Sequence, residues 1–241
     1  LTSVTIPDSV TTLGNGAFEL CSGLVSVTIG NGVISISDEL FRNCHKLTSV
    51  VIPDSVTSIG NMAFYYCRNI SKVIIPSSVA QLGDCAFYGC ETLTDISIQN
   101  SNIEIGENAF QGTNITSIRF PDELDYIPHG AFADSKCLQD TLKLPENLLW
   151  IDSYAFGNCS KLDAIILPHK LESMGERAFA NCFSIGYIRS EAVEPPSIHS
   201  NTFEALPKDN FTVEVPEESV AAYRSASDWN EFKRISAYKG F

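Results

Sequence analysis

Positive charge is scarce in this sequence. Lys and Arg number 16 against 29 Asp and Glu, giving a formal net charge of −13. A surface of that sign repels phosphate backbones, so nucleic acid is excluded as an expected partner. No apolar run approaches the roughly 18 residues that a membrane helix needs, and no membrane insertion is expected of this segment. No glycine-rich phosphate loop stands between a strand pattern and a helix pattern. Eight cysteines are present, yet no two have the C-x₂-C spacing that brings zinc ligands together. Hydrophobic content of 44% is that of a chain that buries a core, which excludes wholesale disorder.

What the chain has instead is repetition. An Ala-Phe pair or its equivalent occurs at Ala17-Phe18, Leu40-Phe41, Ala63-Phe64, Ala86-Phe87, Ala109-Phe110, Ala131-Phe132, Ala155-Phe156, Ala178-Phe179 and Thr202-Phe203. Successive phenylalanines are 23, 23, 23, 23, 22, 24, 23 and 24 residues apart. The short step falls in "FQGTNITSIRFP". The first long one falls in "CLQDTLKLP", where an extra residue between Leu138 and Leu142 predicts a β-bulge.

The unit reads L-x-x-V-x-I-P-x-S-V-x-x-I-G-x-x-A-F-x-x-C-x-x. Its opening alternates apolar and polar with period two, the signature of a half-buried strand. Leu1, Val4 and Ile6 are expected inward, Ser3 and Thr5 outward. Proline, as at Pro7, Pro53 and Pro76, ends the strand because it has no N–H for a further ladder bond. A second apolar pair such as Val56 and Ile59 follows, then a glycine expected to permit a turn (Gly14, Gly60, Gly83, Gly106, Gly175). The Ala-Phe segment is too short for a full helix and is expected to make one helical or 3₁₀ turn.

A single 23-residue unit cannot bury enough apolar surface to fold alone. Stacked copies cover each other's faces and share one core. The expected fold is therefore a repeat solenoid, a right-handed coil of about nine repeats with one strand and one short turn each. At about 4.8 Å per strand, nine turns make a body roughly 43 Å long. The pattern changes near Pro207, so residues 1–206 are read as the solenoid and 207–241 as a C-terminal capping segment. There "FTVEVP" predicts a last strand. In "EESVAAYRSASDWNEFKRI", Val220, Tyr223 and Ala226 recur at helical spacing, followed by Trp229 and Phe232, an apolar face for the final coil. Leu1 begins inside a strand pattern, from which further chain upstream is expected.

The string "LTSVTIPDSVTTLGNGAFELCSG" resembles the repeat of the Bacteroides surface protein A type, the BspA-like leucine-rich repeat family. The stretch "TVEVPEESVAAYRSASDWNEFKRI" is similar to the segment that closes such arrays. The resemblance runs along essentially the whole chain and implies a leucine-rich-repeat-like solenoid. It further implies a cell-surface or secreted bacterial location and host or microbial surface proteins as targets.

Cys21, Cys44, Cys67, Cys90, Cys159 and Cys182 fall three residues after the repeat phenylalanine, in register along the solenoid. Stacked equivalents point the same way, which disfavours disulfides. They are expected to be small buried thiols bonded to turn backbone. Cys85 and Cys137 lie off this ladder, and Cys85 is expected to be a partly exposed free thiol. His45, His129, His169 and His199 occupy different repeat positions and are expected in solvent. Paired carboxylates such as Asp122 and Glu123 fall in turns. No singular constellation stands out from the repeats, so no enzyme, metal or cofactor is expected.

Candidate ligand contacts are the outward strand positions that vary while the scaffold repeats. One row includes Thr28, Val51, Ile74, Arg119, Lys143, Ile166 and Arg189; a parallel row includes Ser26, Ser49 and Tyr187. Val51 and Ile74 form an apolar pair. Arg119, Lys143 and Arg189 form a basic stripe suited to an acidic protein surface. A second group, Tyr65, Tyr66 and Tyr88 in adjacent coils, has the amphipathic rings that anchor partners or stack on sugars. The leading expectation is a protein-binding or adhesion module, with a glycan-binding module or a passive spacer as alternatives.

Overall fold

The computed structural model describes residues 1–206, 208 and 211–238. They form a parallel β-solenoid with leucine-rich-repeat character and little helix. The expected boundary residue, Pro207, lies outside the described residues.

Each coil is built from three columns. The first holds the predicted strands. Ser3–Ile6, Ser26–Ile29 and Ser49–Val50 make one parallel sheet, and Lys72–Ile75 with Asp95–Ile98 make another. Gln139–Lys143, Lys161–Leu167, Tyr187–Ser190, Thr212–Val215 and Arg234–Ala237 make a third. The 23-residue period lays each residue on its own equivalent, as in Thr5 on Thr28 and Ile74 on Ser97. Where the period slips to 22, residues 114–120 form no strand and the column is interrupted. The predicted bulge is present: register shifts between Asp140 and Thr141, and Asp140 takes a φ of 61°.

Among the described residues, the second column carries two-residue strands from the second apolar pair of seven coils; the first coil has none and Ser197 adds only an isolated bridge to Ser173. Ser35–Ile36, Ser58–Ile59, Gln81–Leu82 and Glu104–Ile105 form one ladder. Tyr126–Ile127, Trp150–Ile151 and Ser173–Met174 form another. The glycine after this strand serves a purpose other than the expected turn. None of Gly14, Gly60, Gly83, Gly106 or Gly175 has a left-handed φ. A β-carbon on Gly83 would stand 2.5 Å from the backbone nitrogen of Asn61, and one on Gly106 2.6 Å from that of Asp84. The coils approach so closely because side-chain carbonyls cross the gap: the Asn61 N–H donates to Asp38 and the Asp84 N–H to Asn61, each at 2.8 Å.

The third column is the Ala-Phe segment. It keeps the i→i−3 bonds of a 3₁₀ turn, such as Cys67 N–H to Phe64 O at 3.0 Å. It interleaves them with bonds to the next coil: Met62, Phe64 and Tyr66 donate to Asp84, Ala86 and Tyr88, all at 2.8 Å. This alternation needs left-handed residues four apart, Met62 and Tyr66 at φ 55° and then Cys85 at 54° and Gly89 at 67°. A regular helix would turn every N–H back into its own coil and forfeit the inter-coil bonds. Left-handed backbone costs an L-residue about 1–2 kcal/mol, which stacking must offset.

Leu, Val and Ile from the strand columns and Phe from the third fill one core. The phenylalanines stack from Phe18 to Phe203, with centroids 5.0–5.7 Å apart and planes within 4–16°. Leu1, expected inward, is 68% exposed, whereas its equivalents Leu24 and Leu47 are buried between coils. At the other end Phe203 meets Phe232 edge-on at 5.7 Å and Trp229 at 6.1 Å. Trp229 is 1% exposed and donates from Nε1 to the Pro196 carbonyl at 2.8 Å. The helix there is short, Val220–Ser225, flanked by 3₁₀ turns at Glu217–Ser219 and Trp229–Glu231.

Candidate functional site

The first column presents the predicted outward rows unevenly. Val51 is 75% exposed and Ile74 45%. Lys143 and Arg189 flank Ile166 on one sheet in successive registered pairs. Arg119 does not join them, because it lies in the interrupted segment, beside a shallow depression shared with Gln99, Asn100 and Asp122. The basic residues also have partners of their own. Lys143 lies 3.5 Å from Glu146 and Arg189 lies 3.4 Å from Glu191. The Arg189 guanidinium also lies over the Tyr238 ring at 4.3 Å, and Glu214 follows Arg189 in register. Tyr187 is half-buried and donates its hydroxyl to Glu214 at 2.7 Å. Burial, then that bond to a carboxylate, pushes the phenol up to about 12.

The predicted tyrosine group is real and lies on the third column. Tyr65 stacks on Tyr88 at 5.0 Å, and Tyr66 meets both edge-on, at 4.6 and 5.6 Å. All three are half-buried. Burial first, and then the neighbouring phenols, raises Tyr65 and Tyr88 above their ordinary value. Two of the three rings already have a cation, Arg42 over Tyr65 at 5.7 Å and Arg68 over Tyr66 at 5.0 Å.

The cysteine ladder is structural. Cys44, Cys67, Cys90, Cys159 and Cys182 are buried, and each thiol donates to a phenylalanine carbonyl in the coil before it, at 3.1–3.4 Å. Desolvation pushes Cys44 up to about 11 and Cys67 well above the ordinary thiol value. Cys85 is half-buried and free. The histidines depart in part from expectation. His169 and His199 are exposed, whereas His45 is half-buried with Nδ1 3.0 Å from the Tyr66 carbonyl, and His129 packs edge-on to Tyr154.

A further surface was missed in the sequence. The outward residues of the second column line two depressions, of about 530 Å³ beside Ser35, Ser58, Gln81 and Glu104 and about 390 Å³ beside Tyr126, Trp150 and Ser173. Tyr126 and Trp150 are registered neighbours, 39% and 41% exposed. Tyr126 donates to Asp152 at 2.5 Å. Burial alone would raise the Asp152 carboxyl, but the bonds from Tyr126 and the Ser153 N–H, with His129 nearby, hold it below the usual carboxylate value. The available signal was the residue before the second apolar position, where two consecutive coils place a large aromatic in a polar row.

The sequence matches the family model described as the BspA type leucine rich repeat region, in six copies over residues 1–110 and 126–217. The gap between the two matched stretches contains the coil that lacks a first-column strand. No curated protein matches. Three solved structures are similar in fold. A leucine rich cell surface protein from Faecalibacterium prausnitzii is 24% identical, with a TM-score of 0.59 over 100% of this chain and 80% of that one. A leucine-rich repeat protein from Bacteroides ovatus is 23% identical, with a TM-score of 0.64 over 99% of this chain and 61% of that one. The leucine rich repeat protein of T. pallidum is 23% identical, with a TM-score of 0.59 over 76% and 77%.

Proposed function

Because the chain belongs to the BspA type leucine-rich repeat family, we propose that it is a non-catalytic module of an exported bacterial surface protein. In this reading it binds a protein ligand through the outward face of its first strand column, and residues 207–241 serve as the cap. The description of the Faecalibacterium relative as a cell surface protein supports the location. No helix among the described residues is long and apolar enough to cross a membrane.

The observation that carries the binding reading is apolar surface left uncovered on a regular face. Val51 and Ile74 stand outward, 75% and 45% exposed, on a scaffold whose inward positions are filled by one repeated core. Exposed apolar side chains rimmed by charge, here the Lys72–Asp95 pair, are the anatomy of a protein contact. The glycan alternative rests on Tyr65, Tyr66 and Tyr88. Arg42 and Arg68 already lie over two of those rings, which favours the protein reading.

The test is surface plasmon resonance against a panel of purified host extracellular and microbial surface proteins. Val51→Asp with Ile74→Asp, and separately Lys143→Glu, should weaken a partner about tenfold or more, ~1.4 kcal/mol, with unchanged melting temperature. A partner bound equally by the wild type and both variants sinks this reading.

A further inference from the structure

This protein repeatedly lays its own cations over its aromatic rings. Arg42 covers Tyr65, Arg68 covers Tyr66, Arg177 covers Tyr154 at 5.7 Å and Arg189 covers Tyr238. No cation among the described residues covers Tyr126 or Trp150, although they are among the most exposed aromatic side chains. Among the described residues, Trp150 makes no side-chain hydrogen bond and no ring contact. Beside this pair Asp152 is held ionised by Tyr126 and the Ser153 N–H, and among the described residues no lysine or arginine pairs with it.

The same charge preference extends along the column. Asp38 and Glu104 line the first depression and Asp152 the second, and neither depression is lined by a lysine or arginine. Many carboxylates elsewhere are paired, as in Arg42 with Glu39, Arg68 with Glu91 and Arg177 with Glu204. Six strand steps of about 4.8 Å from Ser35 to Ser173 make roughly 29 Å, the reach of roughly eight or nine extended residues. A segment lying there crosses the strands rather than pairing with them, so its side chains must supply the recognition.

We propose that the second strand column docks an extended basic segment of a protein partner, an arginine or lysine side chain lying over Trp150 and pairing with Asp152. An electron-rich indole face and an ionised carboxylate together match a guanidinium or ammonium group. A neutral sugar could stack on the indole and donate hydroxyls to the carboxylate, but it has no positive charge to pair with it. The site lies on a different column from the one proposed above and does not depend on it.

The two tryptophans make the test direct, since Trp150 is 41% exposed and Trp229 is 1% exposed. The probe is a fluorescein-labelled ten-residue peptide alternating arginine and serine, compared with its glutamate-serine counterpart and with chitohexaose, at about 0.15 M salt. The arginine peptide is expected to bind by anisotropy and to protect Trp150 from acrylamide quenching. Trp150→Ser and Asp152→Asn should each weaken it about tenfold or more. Glu217→Gln, which removes one charge from the exposed far end, should leave it unchanged. The buried Trp229 emission checks that each variant is folded. Equal weakening by Glu217→Gln would reveal attraction to net charge alone and overturn the proposal. So would protection of Trp150 by chitohexaose instead of the peptide, or by neither.

Discussion

The Cys67 thiol donates a hydrogen bond of 3.1 Å to the backbone carbonyl of Phe41, 26 residues earlier. That bond recurs at Cys44, Cys90, Cys159 and Cys182, so the ladder links each coil to the one before it inside the core. In the native protein at pH 8, iodoacetamide should modify the half-buried Cys21, Cys85 and Cys137 and spare these five until denaturant is added. Peptide mapping by mass spectrometry reads the outcome, and uniform labelling of all eight would contradict it. Desolvation raises Cys44 from an ordinary 9.0 to about 11. Above pH 9 the unfolded chain therefore releases protons that the native state retains. Stability is complete below that value and falls as pH rises toward 11, which urea midpoints will follow.

Gly83 and Gly14 occupy the same repeat position with different surroundings. A β-carbon at Gly83 meets the Asn61 nitrogen at 2.5 Å, whereas one at Gly14 meets nothing within 4 Å. Gly83→Ala should cost about 2–3 kcal/mol through overpacking. Gly14→Ala should be neutral or gain up to about 1 kcal/mol from reduced unfolded-state entropy. Equal urea midpoints for the two variants would show that the coils are not in this close contact.

Trp229 closes the phenylalanine stack that ends at Phe203. Trp229→Ala should lose about 3–5 kcal/mol and lower the thermal midpoint strongly. Trp150→Ala, at an exposed position, should stay within about 0.5 kcal/mol of wild type. Circular dichroism melts that rank the two in the opposite order would refute the capping role.

Tyr126 helps to hold Asp152 ionised. The Asp152 carboxyl carbon should titrate by NMR below the ordinary 3.8, and Tyr126→Phe should move it upward. Because the folded value is lowered, the stability this carboxylate confers is present above 3.8 and is lost as pH falls through the folded value. An unshifted titration in Tyr126→Phe would mean that the hydroxyl is not bonded there in solution.

Much of the fold was legible from residue spacing. The 23-residue step marks the coil, the period-two pattern its strand, and the extra residue in "CLQDTLKLP" its bulge at Asp140 and Thr141. The cysteine position read correctly as buried at Cys44, Cys67, Cys90, Cys159 and Cys182, where it sits among core residues, but not at Cys21, which is half-buried and has no coil before it in this sequence to bond. The Ala-Phe segment was only partly legible. Its bonds alternate between its own coil and the next, and residues such as Met62 and Tyr66 carry no local signature of left-handed backbone. Val51 and Ile74 point outward as the period-two pattern predicts, while Arg119 leaves the basic row where one missing residue breaks the column.

The sequence by itself determined most of the buried side chains and how often the chain turns, since burial of an apolar side chain is favoured whatever its eventual neighbour. Only the tertiary structure decided which outward residues become neighbours. Stacking joins Tyr126 to Trp150 across 24 positions and lays an arginine over Tyr65. Contacts between residues a whole coil apart depend on the register of stacking, and a slip of one residue redirects them.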